Sequence, residues 1–435
     1  MLDDNIQPAT IVYSKGKITS VIKGKPDITN IPVRDVGNSL IMPGLIDPHV
    51  HINEPGRTEW EGFETATRSA AAGGITTLMD MPLNSFPVTT TKAAFFKKIK
   101  ATKKKLLVNC GFLGGLIPQN SPLQDEFLQC GIWGIKAFLT HSGIDEFPNV
   151  TSSDLRKALK KIADNGMTLL VHCEIAGRIK KNTIPENKYS SHLNSRPDSW
   201  ELNAIRLMVK LCEEYRCRIH IVHLSSANAL PVIRQAKEKG LPLTVETCPH
   251  YLCFGAEDIP DGDTRFKCAP PIRGWKNNER LWDALKEGLI DFIASDHSPA
   301  PPELKCLDTG NFKNAWGGIT GLQTSLPAVW TEANRRGFSV TDVAKWMSKN
   351  PASFLGLGNS KGQIKTGFDA DFVVWEPETK FVLEEKALFY KHKISPYCGK
   401  KLKGVVTNTI VGGQEVYCKG KFAKPKDGRL IVRVS

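Results

Sequence analysis

The amino-acid sequence predicts an α/β fold: a (β/α)8 TIM barrel with a small β-sandwich domain built from both termini. Two observations carry this. Eight short apolar runs alternate with helical stretches through the centre of the 435-residue chain, and period-two β patterns frame them at either end. Strands alternating with helices pair in parallel through right-handed crossovers, and eight of them over roughly 250 residues make a barrel. A doubly wound open sheet is the competing arrangement, but no G-x-G-x-x-G follows the first run.

The elements follow in chain order. Alternating runs at 10–13 and 18–22, broken by Gly16, Gly24 and Pro26, read as hairpins. The eight central runs lie at 45–51, 75–81, 106–112, 132–139, 167–173, 218–224, 242–248 and 291–296. Helical stretches at 60–72, 92–103, 153–164, 201–216, 227–239 and 278–287 fall between them. β patterns return at 371–375, 404–411 and 415–417, so the two ends are expected to pair. The expected boundaries are 43–364 for the barrel, with 1–42 and 365–435 as the two parts of the sandwich.

Composition excludes several classes. Hydrophobic residues at 41% and charged residues at 24% belong to an ordinary globular chain. No apolar run approaches the roughly 20 residues that span a bilayer, so no membrane partner is expected. The start, MLDDNIQPAT, has no apolar h-region, and an intracellular protein, cytoplasmic or mitochondrial, is expected. The cysteines are scattered without a C-x-x-C pair, as reduced thiols rather than a disulfide scaffold. The net charge is +13, yet the densest basic run, 97–105, alternates with apolar residues like the wet face of a helix. No aromatic interleaving accompanies it, and no nucleic-acid partner is expected.

A parallel barrel carries its chemistry at the C-terminal ends of its strands. Run one ends in His49-Val50-His51, run four contains Lys136, run five reaches His172, run six His223 and run eight Asp296. Side chains alternate along a strand, so His-x-His turns both imidazoles to one side. Each histidine alone is a common core or rim residue. Four histidines and an aspartate at matched strand ends are a ligand set for zinc or a similar divalent ion. Lys136 is the odd member, since an ammonium repels a cation. Snorkelling to water is its ordinary fate. If its amine has taken up carbon dioxide, the resulting carbamate is an anion able to bridge two metals about 3.5–4 Å apart.

These residues resemble a known family. Asp47-Pro48-His49-Val50-His51 followed by Glu54-Pro55-Gly56-Arg57 is similar to the opening of the cyclic-amidase branch of the amidohydrolase superfamily, which includes dihydroorotases, dihydropyrimidinases and allantoinases. The likeness runs to the closing phrase Gly362-Gln-Ile-Lys-Thr-Gly-Phe-Asp-Ala-Asp-Phe. It implies two divalent metals, zinc or similar, with His49, His51 and Asp296 on one and His172 and His223 on the other. N6-carboxylated Lys136 and a hydroxide would bridge them, Asp296 would move the proton, and the chain would assemble as a homotetramer.

Within the branch, substrates are told apart by what grips them. Dihydroorotases read His-x-His-x-Arg, the arginine pairing with the substrate carboxylate, and carry a histidine four residues after the strand-eight aspartate. Here those positions are Asn53 and Ala300, and a bidentate arginine contact is hard to replace. The phrases at 54–65, 81–85, 138–147, 248–251, 270–273 and 315–319 resemble those of allantoinases. That resemblance implies hydrolysis of the hydantoin ring amide of (S)-allantoin to allantoate, in purine degradation. A dihydropyrimidinase- or dihydroorotase-type amidase is the alternative, and a non-catalytic relative a further one. Asn53, Asn84 and Gly318 are the candidates for touching substrate, against the plainer readings of loop caps and a turn. Arg57 and Arg273 read as loop ties, and Cys268 as loop packing.

Overall fold

The computed structural model describes residues 6–26, 31–179, 183–424 and 428–433. Eight parallel strands, Leu45–Val50, Ile75–Asp80, Asn109–Phe112, Ile135–Phe138, Thr168–His172, Arg218–Ile221, Leu243–Thr247 and Phe292–Ile293, are barrel strands one to eight. Strand one pairs with two and two with three. Strand three continues as Gly114–Gly115 to pair with four, and pairing then runs in order to eight. The ring closes through a bridge from Val50 to His297, where the His51 N–H donates to the His297 carbonyl at 2.8 Å. The barrel read from the sequence is the barrel observed.

Local chemistry explains where the helices start. Helix Ser152–Asp164 begins at a capping box, in which Thr151 accepts from the Asp154 N–H and the Asp154 carboxylate accepts from the Thr151 N–H. Its Leu155, Ala158, Leu159 and Ile162 face the sheet layer and are buried. The stretch expected at 227–239 divides into the turn Ala227–Ala229 and the helix Leu230–Glu238, because Pro231 lacks an N–H and fits only a first turn. Helix Ser325–Arg335 has no counterpart among the expected stretches; Pro327 in its first turn reads as a breaker but is tolerated there. Among the described residues, no helix is long and apolar enough to cross a membrane.

Leu40–Pro43, Phe372–Val382, Lys401–Val411, Gln414–Cys418 and Lys421–Phe422 form a five-stranded antiparallel sheet, so the two ends do pair. The hairpin Ala9–Ser14 and Lys17–Lys23 covers it, burying Ile18, Phe368, Phe372, Val374 and Ile410 between the layers. Residues 428–433 leave this domain and bond along strand three, through Cys110 to Arg429 and Ile431, each 2.9 Å. At the N-terminal end of the barrel, helix Asn350–Phe354 acts as a plug, with the Phe354 ring 4.4 Å from His220 and 5.0 Å from Phe292. The opposite end is left open for chemistry.

Candidate active site

Two buried anchors set the first and last strands at that open end. Asp47 accepts from the backbone N–H of His49 and of Ser295, both at 3.2 Å, and so ties strand one to the end of strand eight. Burial raises its carboxyl to about 6. Asp80, at the end of strand two, accepts from the Ile52 N–H at 2.9 Å and from Lys98 at 2.6 Å. The segment carrying His49 and His51 is therefore held from both sides.

The side chains read from the sequence converge. His49 and His51 each turn Nε2 to Asp296 Oδ1, at 3.1 and 3.4 Å. Ligand atoms of the three lie within 4.8 Å of one another, as do those of Cys248, His250 and Asp296. His172 Nδ1 meets His223 Nε2 at 3.0 Å, and the His49 and His223 rings are 5.4 Å apart. Lys136 is fully buried between these groups, its ammonium without a hydrogen-bond partner and 5.2 Å from the Phe138 ring. His223 at φ 40° and Asp296 at φ 45° sit in the left-handed region, where non-glycine residues are held only by surrounding structure. This is also why strand eight is two residues long: the chain turns at Asp296 to aim it inward.

Electrostatics follow the burial. Burial lowers His51 to about 4 and drives His223 well below the usual range. His49 is also buried, but Asp296 and Glu246 outweigh that and raise it to about 9. Asp296 is held far below the carboxylate range by His49 and His51 against the opposing effect of burial. Burial lowers Lys136 to about 8, with Glu246 and Asp296 limiting the fall. Converging imidazoles and an ionised carboxylate fit a divalent cation site, and the buried, unpartnered Lys136 amine would fit it once carboxylated.

A cavity of about 750 Å³ opens over these groups, within the usual size of small-molecule sites. Asn84 lines it at φ 60°, its Nδ2 3.4 Å from His51 Nδ1 and its Oδ1 buried and unpartnered. Asn53 lies off the cavity wall and donates to the Pro299 carbonyl at 3.3 Å. Gly318 lines the cavity with its N–H donated to the Lys267 carbonyl at 2.8 Å and its carbonyl accepting from Lys305 at 2.7 Å. At its φ of 143° a side chain would strike the Ser298 carbonyl, which only glycine avoids. Arg57 pairs with Glu146 at 3.0 Å, and Arg273 with Asp198 at 3.0 Å. Cys268 donates to the Pro270 carbonyl at 3.3 Å, and burial pushes its thiol up to about 12.

Three residues around the site do not stand out in the sequence. Glu246 on strand seven binds His49 Nδ1; an acid within the apolar run Leu-Thr-Val-Glu-Thr was the available signal. Glu174 accepts from His172 Nε2 at 2.8 Å and lies two residues beyond it, a spacing that could have been read. Arg196 pairs with Glu174 and lines the cavity, arriving from a junction between helices that no pattern marks.

A parallel barrel that gathers imidazoles and a carboxylate at its strand ends offers a divalent-metal site of the kind that metal-dependent hydrolases use. The sequence matches the amidohydrolase family over residues 40–416, and the chain belongs to that family. It is 45% identical to an allantoinase of Streptomyces avermitilis, across 99% of this chain and 96% of that one. It is 46% identical to an allantoinase of Arabidopsis thaliana, across 95% and 86%. Among solved structures, L-hydantoinase (dihydropyrimidinase) from Arthrobacter aurescens matches with a TM-score of 0.93 at 31% identity, covering 98% of this chain and 96% of that one.

Proposed function

We propose that this chain is an allantoinase, hydrolysing the hydantoin ring amide of (S)-allantoin to allantoate. The observation that carries the reading is near-full-length similarity to proteins of that name, supported by the grouping of His49, His51 and Asp296, which could hold a metal ion. Asn53 and Ala300 stand where dihydroorotate recognition would need charge, which speaks against that substrate. The hydantoinase likeness favours one second reading, a hydantoinase acting on simpler rings.

His49, His51 and Asp296 would hold one zinc or similar ion, and His172 and His223 a second. Lys136, carboxylated on its amine, would join them; a buried amine near pKa 8 is partly neutral and nucleophilic enough to take up carbon dioxide. When bound, such ions bring the pKa of water down from 15.7 toward about 7 and polarise the amide carbonyl. The protein's own groups do the rest. Asp296 accepts the proton of the attacking water at a carboxylate oxygen. As the water oxygen bonds to the ring carbonyl carbon and the C–N bond breaks, Asp296 delivers that proton to the departing ring nitrogen. Asn84 Oδ1 accepts from a ring or ureido N–H, and Gly317 and Gly318 leave their stretch of the cavity wall free of side chains for the substrate to lie against.

The eleven cysteines are all free, as suits a reducing intracellular compartment, and the same reading carries a homotetramer. The test is turnover of racemic allantoin, dihydroorotate and dihydrouracil side by side. Hydrolysis of allantoin alone, leaving one enantiomer, is expected; faster turnover of dihydrouracil would replace this reading with the hydantoinase one.

A further inference from the structure

The barrel holds a fully buried carboxylate outside the proposed ligand set, in a line of groups that crosses three strands. Thr244 Oγ1 lies 2.8 Å from His220 Nδ1, and His220 Nε2 lies 3.0 Å from Glu246 Oε2. The other oxygen of Glu246 meets His49 Nδ1 and accepts from the His223 N–H at 3.3 Å. Glu246 and His220 are completely buried, and His49 nearly so. A carboxylate out of water is expensive unless every lone pair is used, and here three donors converge on it.

The direction of each bond to Glu246 is fixed by chemistry. A carboxylate only accepts, so His49 must carry its hydrogen on Nδ1 and His220 must carry one on Nε2. With its Nδ1 hydrogen given to Glu246, His49 presents Nε2 to the site, 3.1 Å from Asp296 Oδ1. Asp296 accepts there from a protonated His49, and a bound cation would take that proton's place. On its other side, His220 Nδ1 is held by the Thr244 hydroxyl, which can donate to it or accept from it. Phe292 stacks on His220 at 5.1 Å and Phe354 packs against it at a tilt, 4.4 Å away, and together they keep the ring from turning.

We propose that Glu246 is a positioning residue that fixes His49 with Nε2 presented to the metal, and that His220 and Thr244 hold Glu246 in that role. The inference rests on the metal-site reading above. Carboxylates placed behind metal-bound imidazoles set ring orientation and raise ligand basicity, and their loss weakens metal binding by about 10–100-fold.

The test is zinc affinity, measured by chelator competition at fixed pH, for the wild type, Glu246→Gln and Thr244→Val, with urea midpoints of the metal-free proteins alongside. Glu246→Gln cannot accept from both imidazoles, so zinc binding about 10–100-fold weaker is expected, with a smaller loss in the same direction for Thr244→Val. Nitrogen-15 chemical shifts of zinc-loaded wild type should show His49 protonated at Nδ1 and metallated at Nε2. Affinity within twofold of wild type in Glu246→Gln, whatever happens to its urea midpoint, would reduce the group to a strand staple and overturn the proposal. If Glu246→Gln does not fold, an unchanged affinity in Thr244→Val together with the opposite His49 tautomer does the same. A wild type that binds no zinc would instead overturn the metal reading itself.

Discussion

Asp80→Asn removes one charge from a pair that lies wholly out of water. Asp80 is fully buried and Lys98 is 1% exposed, their nearest atoms 2.6 Å apart. The new amide still accepts from the Ile52 N–H, so that hydrogen bond survives. The Lys98 ammonium keeps only the Met81 carbonyl at 3.0 Å and the Phe112 ring at 5.8 Å. Leaving one buried charge uncompensated costs about 3–5 kcal/mol. Asp80→Ala also orphans the Ile52 N–H, adding about 1–3 kcal/mol. Because Ile52 follows His51, the loss loosens the segment that carries two proposed ligands, and metal binding should weaken with stability. Urea unfolding at pH 7, followed by tryptophan fluorescence and by circular dichroism, measures the change; coincident curves are needed for a chain of two domains. The double variant Asp80→Asn with Lys98→Met should recover most of the loss, since it removes the uncompensated ammonium and keeps the acceptor for the Ile52 N–H. An Asp80→Asn protein within about 1 kcal/mol of wild type would refute the reasoning, because a buried unpaired ammonium cannot be that cheap.

Asp296→Asn should keep much of its metal, held by His49 and His51, yet lose about 10²–10⁴-fold in turnover as the proton carrier is removed; steady-state kinetics with metal analysis decides, and near-normal turnover would sink the role. Asn84→Ala should lower kcat/KM for allantoin about tenfold, the effect of about 1.4 kcal/mol of lost hydrogen bonding; equal loss with every ring tested would show that Asn84 does not read this substrate. Glu201, which accepts from the Ser225 and Ser226 N–H groups, provides a pH test outside the proposed ligand set. Burial raises its carboxyl from 4.5 to about 7, against Arg273 and the Ser225 and Ser226 N–H groups, which lower it. The folded state therefore binds the proton more tightly than the unfolded chain, and stability falls as pH rises from 4.5 toward 7. Glu201→Gln should abolish that fall, on the order of 3 kcal/mol; parallel pH profiles of the two proteins in urea unfolding would contradict it.

The clustering of the six proposed ligands was legible because a parallel barrel displays its strand ends, so a histidine or aspartate closing an apolar run is a statement about position as well as type. His49, His51, Lys136, His172, His223 and Asp296 sit where that rule puts them. What the sequence hid depends on backbone conformation and distant packing. Asn53 falls on the loop beyond strand one, but its left-handed φ of 67° turns its amide to Pro299. Gly318 looks like a residue opened for a ligand, whereas its N–H and carbonyl are both engaged by Lys267 and Lys305. Arg196 enters the cavity wall from the junction of two outer helices, a placement set only by tertiary packing. Strand eight shortened for the same kind of reason: its last residues left the ladder to present Asp296.

The most direct measurement is of bound metal per chain and allantoin turnover in the wild type and in Lys136→Ala, with and without added short carboxylic acids. Two divalent ions and rapid turnover are expected of the wild type grown with zinc and bicarbonate. Lys136→Ala should lose both, and a short carboxylic acid filling the vacated space should restore part of each. A Lys136→Ala protein that stays metal-replete and active would contradict a site built around the carboxylated lysine.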